Sequence, residues 1–348
     1  MGRNNGKRRC QVCTAFAASV FVGRGTVGCR DPTGKRVSVL VIGSIANQRD
    51  KEMMISLRYR LEYAVVVTIR VLVQILPRQI SLAFGTAVGR IFYLLHGRRR
   101  ELAMSNLRVA FPERTDSECR AILRSTFAQL GRHIIEFLNF DAMEADEMFN
   151  LVEFEGEEYV DNAIAKGRGV MYFAGHFGAW ELQIMVHAFR FERIVMVART
   201  LDNPLLESLM ERIRTRVGTQ VLSRRGAVRG LLRALKNGGS VGLMVDQHIQ
   251  DRSAVQVNYF GRPASTTSTL ASLALRTGAP IIPVFTIPLP GGRYRMVYEK
   301  PIEVPAEDDD DRIRTYTQRC TDRLEARVRN DPYLWLWMHR RWRETGAV

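Results

Sequence analysis

Two short stretches of this 348-residue chain hold side chains able to move a proton. The first reads GHFGAWE from Gly175 to Glu181 and sets His176 five positions before Glu181. On one regular helix five residues turn about 500°, which leaves two side chains roughly 140° apart. They meet only if His176 lies in a turn and Glu181 in the first turn of the helix that follows. Gly175 and Gly178 permit such a turn and leave backbone N-H groups exposed at a helix start. The expected chemistry is a general base at His176, an orienting acid at Glu181 and an oxyanion site at the N-H groups of Phe177 and Gly178. A lone histidine beside a carboxylate is more often a satisfied polar pair, so the reading leans on the rest of the chain.

The second stretch is Asp246, Gln247 and His248. Both follow apolar runs of strand length, Val170 to Ala174 and Ser240 to Val245, so each sits at a strand's carboxyl end. Open parallel sheets bind ligands at that edge. Between them the chain reads as a strand from Val195, a loop at Asp202, Asn203 and Pro204, a helix carrying Arg212, Arg214 and Arg216, and a second helix from Gly226 to Lys236. This alternation predicts an α/β fold: a mixed, mostly parallel sheet flanked by helices. No HExxH or dense carboxylate cluster supports a metal site at Asp246, His248 and His176, so no metal or other cofactor is expected. There is no GxSxG elbow and no cysteine in the strand-end motifs, which argues against a covalent intermediate on a serine or cysteine.

The amino-terminal third reads differently. LEYAVVVTIRVLVQIL from Leu61 to Leu76 and ISLAFGTAVGRIFYLL from Ile80 to Leu95 are helix-length apolar runs separated by Pro77. Glu62, Arg70, Gln74 and Arg90 interrupt them, short of the about 20 apolar residues of a free-standing span. Two readings stand: buried core helices, or a helical anchor at a bilayer with Arg98, Arg99 and Arg100 beyond it on the cytoplasmic side. The second defines the expected segments, with 53–97 as membrane-associated helices and 98–348 as the α/β domain. Residues 1–52 hold ten Lys or Arg against three Asp or Glu and show no sustained period. They are expected to be a basic or disordered segment, with translation beginning at Met53 or Met54. Pro112 breaks the next helix, Thr115 and Asp116 can cap its successor, and Glu118 to Phe140 carries apolar residues at helical intervals.

A formal charge of +15 implies an anionic partner. Nucleic acid is one such partner, but the basic residues do not alternate with aromatics along strands as an RNA-recognition module requires. Cys10 and Cys13 form a CxxC without a second ligand pair, and an odd count of five cysteines fits a reducing compartment.

Several segments in order carry a family resemblance: RELAMSNLRVAF from Arg100, GHFGAWE, RTLDNP with RIRTRVG, GLMVDQ, YFGRPASTTSTLASLALRTGAPIIPV, and PYLWLWMHRRW from Pro332 to Trp342. Together they resemble the bacterial lipid A biosynthesis lauroyl/myristoyl acyltransferases, within the wider HX4(D/E) acyltransferase group. The resemblance implies a bacterial inner-membrane enzyme with its active site on the cytoplasmic side. It would move an acyl chain from acyl carrier protein to a hydroxyl of an anionic lipid A precursor. His176 and Glu181 match the HX4(D/E) pair. Asp246 matches the acidic position after the central strand and is a candidate second partner for the histidine, so that Glu181 or Asp246 would orient the imidazole. Arg212 or Arg214 falls at the functional arginine. Ala179 stands where the family often has Asn, which bears on the acceptor more than on the chemistry. Substrate contacts are expected from Gly178, Arg199, Asn203, Arg212, Arg214, Gln247, Arg340 and Arg341. Related mannoside acyltransferases share these motifs, so a phosphatidylinositol mannoside-type acceptor is the alternative. A nucleic-acid-binding protein and a catalytically silent membrane protein rank lower. The tryptophan-rich tail reads equally as core packing or as a headgroup contact.

Overall fold

The computed structural model describes residues 28–30, 36–38 and 45–343 except Arg225, with side chains from residue 56. The expected late start, the basic amino-terminal segment and the CxxC at Cys10 and Cys13 fall largely or wholly outside the described residues. The chain divides into two compact units, Met1–Arg58 and Tyr59–Val348. In the first, β1 (Gly28–Arg30) and β2 (Arg36–Ser38) pair antiparallel.

A long helix, α1 (Ile45–Ile75), leads into the second unit and stops before Pro77, whose ring cannot continue it. Next come α2 (Arg78–Leu95), α3 (Gly97–Ala110), α4 (Asp116–Phe137) and α5 (Ala145–Asn150). Thr115 caps α4 in a full capping box with Glu118, so two orphan N-H groups of the helix start are satisfied reciprocally. Helices α2 and α4 meet at their backbones. A Cβ on Gly89 would overlap the Phe127 carbonyl, and one on Gly131 would overlap that of Gly85. The GxxxG of Gly85 and Gly89 is therefore a packing seam.

The body continues with β3 (Val152–Glu155), α6 (Glu157–Ile164), β4 (Val170–Ala174), α7 (Trp180–Arg190), β5 (Ile194–Ala198), α8 (Pro204–Thr215), β6 (Gln220–Ser223), α9 (Ala227–Lys236) and β7 (Ser240–Met244). It ends with β8 (Ala254–Tyr259), β9 (Arg262–Thr267), α10 (Thr269–Thr277), β10 (Ile281–Pro288), β11 (Tyr294–Tyr298) and α11 (Arg312–Asn330). Seven strands form one sheet in the order β3-β11-β10-β4-β7-β5-β6. Neighbours run parallel throughout except β10 and β11. Strands β8 and β9 make a separate antiparallel hairpin.

The all-apolar run VMYFA of β4 is buried at every position, as a central parallel strand covered on both faces must be. Its last residue, Ala174, pairs with Met244 at the end of β7. His176 and Asp246 thus leave the sheet two residues beyond the same rung, at the carboxyl edge.

Among the described residues no single helix is long and apolar enough to cross a membrane. Helices α2 and α3 meet that test only as a pair, bent by 92° at the break between them. The tryptophan-rich tail is core: Trp335, Trp337 and Trp342 are all buried.

Candidate active site

The turn after β4 is fixed from three sides. Gly178 has φ +60° and packs so closely on β10 that a Cβ there would overlap the Thr286 carbonyl oxygen. The Ala179 N-H donates to that same oxygen at 3.0 Å, and the Gly178 N-H donates to Leu334 O at 3.0 Å. From the carboxyl-terminal tail, the Leu336 N-H donates to His176 O at 3.0 Å, and Phe177 bridges Trp335. The tail therefore straps the histidine turn in place.

Within that turn His176 faces Asp246. Imidazole Nδ1 lies 2.8 Å from Asp246 Oδ1, and the His176 backbone N-H donates to Asp246 Oδ2 at 2.6 Å. The indole N-H of Trp335 donates to the same Oδ2 at 2.9 Å. His339 Nε2 sits 3.0 Å from the Asp246 carbonyl oxygen and holds the backbone of the aspartate. The Asp246 side chain has no exposure, whereas that of His176 is 22% exposed.

Burial alone would raise the Asp246 carboxyl, but the imidazole and the N-H of His176 outweigh it and hold the pKa well below the usual carboxylate range. Burial would likewise lower His176, yet the Asp246 charge and hydrogen bond outweigh it and raise the imidazole above its ordinary value. The pair is a buried carboxylate orienting a mostly buried imidazole that reaches the surface at one edge, with the proton on Nδ1 and Nε2 left to work. Nε2 points toward the Gln247 amide, 3.4 Å away.

Glu181 does not meet the histidine. It forks with Arg214 instead, through Oε1 to Nη2 at 2.6 Å and Oε2 to Nε at 3.1 Å. This corrects the expectation that the two members of HX4E converge: β4 ends early enough to put His176 in the turn, but Asp246, two residues past the neighbouring strand, occupies the space beside Nδ1. Trp180, at the first position of α7, stands between two imidazoles, 3.9 Å from His133 and 5.4 Å from His176 between ring centres. Burial pushes His133 down to about 4, so it is neutral there.

The expected oxyanion donors are also corrected. The Phe177 N-H donates to Gly175 O at 2.8 Å and the Gly178 N-H is taken by Leu334. Neither is available to a ligand.

An open cleft of about 700 Å³ runs over the sheet edge and is lined by His176, Glu181, Arg199, Arg214, Gln247 and Arg340, with Arg224 and Arg343. Four expected contacts lie elsewhere. Gly178 is outside the cleft, with its N-H taken by Leu334. Arg341 is buried, bonds Ser265 O and Thr266 Oγ1, and lies over the Tyr259 ring, so it holds β9 and not a substrate. Asn203 caps α8 through Oδ1 and donates from Nδ2 to Tyr59 O and Glu62. Arg212 is exposed on α8 and outside the cleft, which leaves Arg214 as the arginine of that helix in the site. Sequence reasoning missed Trp335 and His339 as supports of Asp246. The alternating Trp335 and Trp337 after Pro332 were the available signal.

Residues 47–344 match the bacterial lipid A biosynthesis acyltransferase family. A lipid A biosynthesis lauroyltransferase of Escherichia coli K12 is 26% identical over 270 residues, covering 77% of this chain and 87% of that protein. A phosphatidylinositol mannoside acyltransferase of Mycolicibacterium smegmatis is 24% identical over 225 residues, covering 64% of this chain and 72% of its own. A solved 1-acyl-sn-glycerophosphate acyltransferase from Thermotoga maritima aligns over 66% of this chain and 97% of its own at 17% identity, with a TM-score of 0.33. The ordered segments that resemble this family in the sequence lie within the matched residues, and the chain belongs to the bacterial lipid A biosynthesis acyltransferases.

Proposed function

We propose that the protein transfers a fatty acyl chain from the thioester of acyl carrier protein to a hydroxyl of a lipid A precursor, with His176 as the general base. The observation that carries this reading is the Asp246 carboxylate 2.8 Å from His176 Nδ1, with the ring on the wall of a cleft large enough for a lipid headgroup. His176 Nε2 takes the proton of the acceptor hydroxyl as its oxygen attacks the thioester carbonyl. Asp246 steadies the imidazolium that forms. The C-S bond then breaks, and the imidazolium returns the proton to the departing thiolate. The Gln247 amide, beside Nε2, is the donor best placed for the developing oxyanion.

Arg340 and Arg343 line the cleft without a carboxylate partner among the described residues, which suits them to a bidentate contact with phosphate. Arg199 and Arg224 have exposed acidic neighbours in Asp202 and Asp251. Such exposed pairs are worth about 0–1 kcal/mol, so a phosphate can displace them.

The membrane reading rests on a different surface. Leu61, Val65, Leu72 and Ile75 on α1, and Ile80, Ile91, Leu94 and Leu95 on α2, are exposed large apolar side chains. Residues 53–97 accordingly lie against the cytoplasmic face of the inner membrane, beside the 98–348 domain, and deliver the acceptor's tails to the cleft.

The test is acyl transfer from labelled acyl carrier protein to detergent-dispersed lipid A precursor, with a phosphatidylinositol mannoside as a parallel acceptor. Transfer to the precursor by the native chain and its loss in folded His176→Ala supports the reading. Near-normal turnover in that variant removes His176 as base, and transfer to the mannoside alone changes the acceptor.

A further inference from the structure

Helix α9 carries charge that its own surroundings do not answer. From Arg224 to Lys236 the chain holds five basic residues and no acidic one. Arg229, Arg233 and Lys236 recur at intervals of four and three, which sets them in one stripe along the helix. All three are exposed, and none makes a salt bridge with another described residue. Like charges one turn apart oppose a helix, so the stripe does not serve the stability of α9 itself.

The other face of α9 fixes which way the stripe looks. Leu231 and Leu235 are buried in the layer that takes Met171 and Phe173 of β4. Val170 and Tyr172, the alternate residues of that strand, face the other layer, where Leu209 and Ile213 of α8 and Tyr63, Val66 and Val67 of α1 pack. The sheet therefore stands between α9 and α1. A bilayer that receives the apolar surface of α1 meets the opposite side of the sheet from the stripe. The first turn of α9, in contrast, belongs to the cleft: Ala227, Val228 and Leu231 line it beside Arg224. Val228 is 52% exposed, an apolar side chain at the cleft wall with Arg229 next to it.

We infer that the exposed face of α9 is the docking surface of the acyl carrier protein, with an acidic face of the carrier along Arg229, Arg233 and Lys236 and its thioester arm entering the cleft past Val228. The inference rests on the acyl-transfer reading above for the identity of the donor. Donor and acceptor then approach from opposite sides of the sheet, and the carrier does not compete with the membrane for α1. Complementary charge of this kind acts mainly on the rate of encounter and on its salt dependence.

The experiment is fluorescence anisotropy of labelled holo acyl carrier protein titrated with the full chain in detergent. Native binding should weaken as salt rises. Arg229→Gln with Arg233→Gln should bind roughly tenfold more weakly at low salt and show a smaller salt dependence. Arg60→Gln with Arg212→Gln removes the same charge from exposed positions on α1 and α8, across the sheet, and should bind like the native chain. Thermal melts check that each pair folds; should the α9 pair fail, Arg233→Gln alone should give a smaller loss in the same direction. No carrier binding by the native chain, an equal loss in both pairs, or no loss in either overturns the inference. So does a loss confined to phosphatidylglycerol vesicles, which would make α9 a membrane contact. Transfer from the loaded carrier separates the two proposals. An unchanged KM for the loaded carrier in the α9 pair sinks this surface and leaves the functional reading standing. Carrier binding that is lost in the α9 pair, without transfer by the native chain, sinks the functional reading and leaves the surface standing.

Discussion

Trp335 donates its indole N-H to Asp246 Oδ2 at 2.9 Å, on the carboxylate whose other oxygen faces His176 Nδ1 at 2.8 Å. A residue 89 positions away in sequence therefore fixes the rotation of the group that fixes the histidine. Replacing Trp335 with Phe keeps an aromatic ring in the core but removes the donor together with part of the indole's bulk. A hydrogen bond to a charged group contributes about 1.5–3 kcal/mol, so Trp335→Phe should fold with a lowered melting temperature. Its kcat should fall roughly tenfold or more, with KM for the donor little changed, because the indole touches no substrate. Steady-state kinetics beside a thermal melt checks both; an unchanged kcat would leave Trp335 a packing residue.

The pH profile follows from the same pair. His176 must be neutral at Nε2 to accept a proton, and Asp246 holds its pKa above the ordinary value against the opposing effect of burial. The rate should therefore rise with pH through that raised value. In Asp246→Asn burial remains and the attraction is gone, so the acidic limb of the profile should move to lower pH. The asparagine also favours the wrong tautomer, which in comparable triads costs about 10⁴-fold in kcat. A limb that stays in place in Asp246→Asn would mean that the group titrating in the wild-type profile is not His176.

Arg212 and Arg214 are separable by exposure. Arg214 forks onto Glu181, and both side chains are mostly buried, so Arg214→Ala leaves a carboxylate unpaired in a partly desolvated site. Breaking a buried pair costs about 3–5 kcal/mol, and the expected loss lies toward the lower end because some exposure remains. Arg212→Ala on the exposed face of α8 should change stability by less than about 0.5 kcal/mol and leave transfer intact. Chemical denaturation of the two variants, each assayed for transfer, reads the contrast.

Two glycines with positive φ test how tightly the histidine turn is built. Gly178 has φ +60° and no room for a Cβ against Thr286 O, while Gly226, with φ +76°, has open space around it. Gly226→Ala should cost about 1–3 kcal/mol from backbone strain alone. Gly178→Ala should cost more and reduce transfer, since the turn cannot move without losing its bonds to Leu334 and Thr286. Equal melting temperatures for the two variants would show that the turn gives way cheaply.

What was legible in the sequence was whatever rests on local pattern. The buried run of Val170 to Ala174, the cap at Thr115, and the strand-end positions of His176 and Asp246 are all set by neighbours in the chain. Asp246 as a second partner for His176 came only from the family resemblance; local pattern could not choose between it and Glu181, because the choice depends on strand order. Glu181 is five residues from His176 and pairs elsewhere, while Asp246 is seventy away and adjacent, since β4 and β7 are neighbours in the sheet. Arg340 and Arg341 show the same limit at closer range. One lines the cleft and the other is sealed under β9, and composition cannot tell successive arginines apart.

The exposed leucines at the end of α2 test the membrane reading. Leu94 and Leu95 are 69% and 74% exposed, and Arg98 follows within one turn of the next helix. Burying a leucine side chain contributes about 1.5–3 kcal/mol, so replacing both with Ser should weaken partition onto vesicles by tenfold or more. Stability should hardly change, because neither side chain packs in the core. If the arginines add attraction, the native chain should bind phosphatidylglycerol vesicles more tightly than phosphatidylcholine vesicles, and added salt should narrow the gap by screening the charges. Vesicle sedimentation of the full chain and of Leu94→Ser with Leu95→Ser measures each effect. Native-like sedimentation of the double variant would remove the carboxyl end of α2 from the membrane contact.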